Sequence, residues 1–106
     1  MDDFFKRIER MGAAIGPYAK AKAERVYIEQ YRKSKKALLM RGSQEKTIAD
    51  REAEAYSDPE YIELLVGLRQ SVEVEEKAKW ALEKFKIEFE HWRTLQANER
   101  YAKERV

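Results

Sequence analysis

Apolar residues in the second half of the chain recur at alternating steps of three and four. Tyr61, Leu65, Leu68 and Val72 form one run, and Ala78, Leu82, Phe85, Phe89 and Trp92 form another. This is the spacing of helices that pack along a seam. Between the runs, Glu73-Val74-Glu75-Glu76-Lys77 interrupts the pattern, and a change of register is expected there. The segment opens with Asp58-Pro59, where Asp58 suits an N-cap and Pro59 suits the first helical position. No proline follows, and Gly67 is the one later glycine. A single helix over 59–100 is therefore expected, with a thinning tail to 106. At ~1.5 Å per residue it exceeds what a compact domain of this size encloses.

Upstream, Ala23, Tyr27, Tyr31 and Leu38 trace an apolar stripe, with Ile28 and Leu39 beside it. The expected helix runs from Pro17 to about Arg41 and is stopped by Gly42. Phe4, Ile8 and Met11 share one face of a shorter amphipathic segment over 3–11. Gly12 and Gly16-Pro17 separate that segment from the helix behind it. Thr47, with Asp50 three residues on, caps a helical turn over 47–56. One all-α domain follows, a helical hairpin with a very long C-terminal helix and coiled-coil-like oligomerisation. Its parts are an N-terminal arm (1–16), a basic helix (17–42), an acidic connector (43–58) and the long helix (59–106). Phe85, Phe89 and Trp92 lie too far along for a helix beginning at Pro17 to cover. They are the expected oligomer interface.

Composition supports this picture. In 106 residues, 40% are charged and 43% hydrophobic, with four glycines and two prolines, a profile of long helices. A chain this short leans on partner subunits for stability. There is no cysteine, hence no disulfide and no thiolate chemistry. No apolar run is long enough to span a membrane, and Met1-Asp2-Asp3 carries no signal-like apolar core. The expected location is the cytoplasm.

Net charge is +2, but it is segregated. Residues 17–41 hold eight basic and two acidic side chains, whereas 43–63 hold two basic and seven acidic. Such a split calls for an anionic partner of the basic block, or for a contact between the two segments. The basic set is Lys20, Lys22, Arg25, Arg32, Lys33, Lys35, Lys36 and Arg41. Tyr27 and Tyr31 interleave with it. Single-strand binders combine aromatic rings that stack on bases with cations that neutralise phosphates. The competing assignment puts both tyrosines in the core.

Catalytic signals are absent. Glu88-x-x-His91 matches half of a di-iron motif, but such a site needs two copies, and His91 is the one histidine. No metal spacing, phosphate loop or activated nucleophile appears. Neither enzymatic activity nor a cofactor is expected.

The order of features then carries a family resemblance over about residues 24–100. A basic helix ending Lys35-Lys36-Ala37-Leu38-Leu39-Met40-Arg41-Gly42 precedes a small connector. Thr47-Ile48-Ala49-Asp50-Arg51-Glu52-Ala53 follows, and then Tyr61-Ile62-Glu63-Leu64-Leu65 at the start of a long helix with an aromatic end. This arrangement resembles the T4-type UvsY recombination mediators, although the connector is shorter than in that family. The resemblance implies an oligomeric single-stranded DNA binder in a phage-infected bacterial cell. Such a protein helps a recombinase to displace single-strand-binding protein. The family's DNA-contacting segment maps onto Lys33, Lys35, Lys36 and Arg41. The alternative is a structural or inhibitory coiled-coil module whose basic helix meets an acidic protein surface and binds no nucleic acid.

Overall fold

The computed structural model describes residues 2–105 and is an all-α helical hairpin. Its elements are α1 (Asp2–Arg41), α2 (Ile48–Ser57) and α3 (Pro59–Arg105). The capping expectations hold for α2 and α3. Thr47 accepts a hydrogen bond from the Asp50 amide at 3.1 Å. Asp58 closes α2 and opens α3, its side chain accepting from the Glu60 amide at 2.8 Å. After Arg41, the Gly42 amide donates to the Leu38 carbonyl at 3.1 Å. Gly42 keeps a negative φ, so this terminus does not use the left-handed conformation.

The expected break at Gly12 and Gly16-Pro17 does not occur. Residues 3–11 and 17–41 belong to one 40-residue helix with Pro17 inside it. The N-terminal arm and the basic helix are therefore one element. Proline removes one backbone donor and crowds the carbonyl four residues back, at a cost of ~3 kcal/mol. The helix nonetheless runs through Pro17.

Burial on both long helices follows a heptad. On α1 the heptad of less exposed positions is Arg7, Met11, Ala14, Tyr18, Ala21, Arg25, Ile28, Arg32, Lys35 and Leu39, with Glu29, Lys36 and Met40 half-buried beside it. The steps of four and three continue through Pro17 without a slip. On α3 it is Tyr61, Leu64, Leu68, Ser71, Glu75, Ala78, Leu82, Phe85, Phe89 and Trp92, with Gly67 and Glu83 half-buried beside it. The run from Ala78 to Trp92 is as expected. The earlier run is corrected: Leu65 and Val72 are exposed, and Leu64, Ser71 and Glu75 face inward. No register change occurs at 73–77. Two polar residues occupy seam positions, and a search for apolar residues passes over them.

The chain divides into two compact units. One is Lys20–Glu75, and the other joins the residues up to Ala19 with those from Glu76 onward. In Lys20–Glu75, α1 and α3 run antiparallel, and α2 packs beside them. Ala55 is 1% exposed and Tyr61 5%. The Tyr56 and Tyr61 rings meet edge to face at 5.4 Å. The terminal unit is aromatic: Phe4 lies 5.8 Å from Phe89 and 6.0 Å from Trp92, and Leu82 is buried.

Candidate nucleic-acid interface

The basic block of α1 is spread around the helix. Arg25, Arg32 and Lys35 take seam positions, where long side chains can bury their stems and keep the charged head at the surface. Arg25 donates through Nε to Glu75 at 2.6 Å and through Nη2 to its other oxygen at 3.1 Å. It also reaches Glu29 at 2.8 Å. These bonds, first to Glu75 and then to Glu29, hold the guanidinium above its ordinary pKa. Lys35 is paired with Glu60, which raises its pKa. Lys36 donates to Glu52 at 2.7 Å and to the Tyr56 hydroxyl at 2.6 Å, and its ammonium sits 4.5 Å from the centre of the Tyr56 ring. Glu52 first and Tyr56 second raise the Lys36 pKa, while Lys36 and then Tyr56 lower that of Glu52.

Part of the charge split is therefore resolved inside the chain: α2 and the start of α3 neutralise Lys35 and Lys36. Their ammonium groups already have carboxylate partners, and a phosphate would have to compete for them. Lys20, Lys22, Lys33 and Arg41 are exposed and make no ion pair among the described residues, and Arg32 is half-buried without one.

The tyrosines lie outside the core. Tyr27 is 68% exposed and Tyr31 41%. Their rings stack face to face, with centroids 6.1 Å apart and planes 7° from parallel. The apolar stripe Ala23-Tyr27-Tyr31-Leu38 is exposed throughout, because the inward face of α1 lies one flank over, at Ala21, Ile28 and Leu39. At about 100° per residue, Lys20, Tyr27, Tyr31, Leu38 and Arg41 fall within an arc of about 80°. Lys22 and Lys33 lie about 120–180° away from the tyrosines by the same count. One solvent-facing stripe thus carries two aromatic rings between two cations. An open groove of ≈ 550 Å³ borders it, lined by Lys20, Ala23, Glu24, Tyr27 and Ile28.

The expected oligomer interface also looks different in three dimensions. α1 begins at Asp2 and not at Pro17, so it reaches the aromatic end of α3. Phe89 and Trp92 pack against Phe4, and the Arg7 guanidinium stands 5.2 Å from the Trp92 ring centre. Phe85 is half-buried beside Arg7 and Arg10. The reason given for assigning these rings to a second subunit, the lack of a covering helix, does not apply.

The Arg25–Glu75 pair is a feature that the apolar pattern concealed. Carrying the register of Ala78–Trp92 back along α3 lands on Glu75 and Ser71, which is the signal that would have found it. Among the described residues no group of three or more His, Cys, Asp or Glu side chains is placed to hold a metal ion. No helix among them is long and apolar enough to cross a membrane. In comparisons with known proteins, no family model, no curated protein and no solved structure matches the chain.

Proposed function

We propose that this chain is a single-stranded DNA-binding accessory protein of the recombination-mediator kind, acting as a homo-oligomer. In that role it helps a recombinase to load against single-strand-binding protein in the cytoplasm of a phage-infected cell. The observation that carries the reading is the exposed Tyr27–Tyr31 stack, set between Lys20 and Arg41 on one face of α1. Exposed parallel rings offer π-faces to bases, and flanking cations neutralise phosphates. Lys22, Lys33 and Arg32 add positive field without sharing that face. An oligomer multiplies such weak contacts through avidity. The recombinase and the single-strand-binding protein enter through the resemblance to the UvsY mediators.

The test is anisotropy of a labelled oligonucleotide across a salt series. Replacing both tyrosines, Tyr27→Ala with Tyr31→Ala, weakens binding on the order of tenfold or more, at about 1–3 kcal/mol per stacked base. The melting temperature stays within the range of an ordinary surface change. Lys20→Ala with Arg41→Ala lowers the salt slope by about 1.4 units, at about 0.7 per lost single-strand contact. Absence of oligonucleotide binding by the intact chain at low salt refutes the proposal.

A second reading has its own support. Arg25, Lys35 and Lys36 are satisfied by the chain's own carboxylates, and α3 leaves Ile62, Val66 and Trp80 on its outer face. Both features suit a helical protein-interaction module. Binding of an acidic protein with no affinity for oligonucleotide is its signature.

A further inference from the structure

We infer that the terminal unit carries a second contact for single-stranded nucleic acid, built from Trp92, Phe4, Arg93 and Arg100. This inference rests on the proposed reading and extends it to a region that reading does not use. The four side chains line an open groove of ≈ 840 Å³, together with Glu90, Thr94, Gln96 and Ala97. Its floor is aromatic. Phe4, Phe89 and Trp92 form a triangle with every centroid separation at or below 6.0 Å. The Arg7 guanidinium lies over the indole at 5.2 Å. Phe4 is 39% exposed, and Trp92 is half-buried while still lining the groove.

The groove lies where the first turns of α1 bring Phe4 against Phe89 and Trp92, and α3 is helical to Arg105. Every side chain from Arg93 to Glu104 is exposed. Arg93 projects from that stretch with a loose 3.4 Å pair to Glu90, and its guanidinium stands 6.0 Å from the Phe89 ring centre. Arg100 lies about two turns farther along, close to the same side of the helix. Thr94 spends its hydroxyl proton on the Glu90 carbonyl at 3.0 Å. The groove therefore holds two guanidinium groups against one carboxylate, beside aromatic edges that end in open space. A flat π-ligand linked to a strong anion fits that set, and a nucleotide unit supplies both. Arginine contributes twice, by stacking and by paired donors to phosphate.

The experiment uses the full chain with Trp80→Phe, which leaves Trp92 as the one indole, and an oligothymidylate as probe. Stacking of a base at the groove quenches Trp92 emission saturably. Adding Arg93→Ala and Arg100→Ala weakens that quench on the order of tenfold, while helix content by circular dichroism stays constant because both side chains are exposed. Adding Tyr27→Ala and Tyr31→Ala instead leaves the quench in place, since those rings lie in the other unit. Anisotropy on the same samples separates the two ideas. Oligonucleotide binding without a Trp92 quench, or a quench indifferent to the arginines, overturns the second contact and leaves the α1 proposal standing. Loss of both signals in the unaltered chain overturns both. Equal quenching by polyglutamate overturns the nucleotide assignment in favour of an acidic peptide.

Discussion

The two compact units use one heptad spacing and fill it differently. In Lys20–Glu75 the seam mixes apolar residues (Ala21, Ile28, Leu39, Tyr61, Leu64 and Leu68) with Arg25, Arg32 and Lys35 on α1 and Ser71 and Glu75 on α3. In the terminal unit the corresponding positions of α3 are Ala78, Leu82, Phe85, Phe89 and Trp92. Aromatic and aliphatic seams stabilise through burial, at roughly 25 cal/mol per Å² of apolar surface. A charged seam gains little net stability, because desolvation offsets much of the attraction, but it penalises every register that leaves a charge unpaired. The contrast teaches that periodicity says which positions face inward, while side-chain chemistry decides whether a position supplies stability or alignment.

The sharpest way to break this comparison is to remove the apolar side. Leu82→Ala deletes one of the few buried large side chains of the chain and is expected to cost about 2–5 kcal/mol in urea unfolding. A loss comparable to a surface change would show that the aromatic unit does not depend on its seam. Pro17 supplies the converse test, because it sits inside α1 and forfeits a helical hydrogen bond. Pro17→Ala is expected to raise stability by up to about 3 kcal/mol, read as a higher melting temperature with unchanged helix content.

A smaller effect separates alignment from stability in the charged seam. Glu75→Leu alone leaves the Arg25 guanidinium facing an apolar neighbour and lowers the melting temperature. Adding Arg25→Met brings it back to the starting value or above it, as replacement of inward-facing ion pairs by apolar residues does. Persistent destabilisation in the double variant would mean that the pair itself supplies stability.

The smallest effect belongs to the half-buried pair that docks α2. Lys36 holds Glu52 below its ordinary pKa of 4.5, so this carboxylate's contribution is present above that value. It is lost as pH falls through the lowered folded-state value. Lys36 is raised above 10.5, so its contribution is complete below that pH and disappears only as pH climbs through the raised value. Between the two limits the melting temperature should be flat with respect to this pair. In Lys36→Met the acid limb should become shallower, and a pH titration of melting temperature reads the difference.

Helix type, two of the caps and the seam from Ala78 to Trp92 were legible in the residues, because strong helix formers, Thr47, Asp58 and an unbroken apolar heptad each act locally. Gly12, Gly16 and Pro17 were misleading. Their penalties act over one turn each, and α1 is continuous through all three. The sequence left Tyr27 and Tyr31 open between base stacking and the core, because an apolar stripe on α1 has no intrinsic direction. Rotating the helix by one flank exchanges Tyr27 and Tyr31 for Ile28 and Arg32 at little change in mean hydropathy.

The amino-acid sequence by itself determined that the chain is helical, where α2 and α3 begin, and that its charge is divided between a basic and an acidic segment. Tertiary structure alone decided which face of α1 is inward, which lysines are neutralised by Glu52 and Glu60, and that Glu75 belongs to the seam. The physical reason lies in range. Propensity and capping act within one helical turn, whereas an ion pair such as Arg25–Glu75 joins residues fifty positions apart. Such a pair exists only once the two helices have come together.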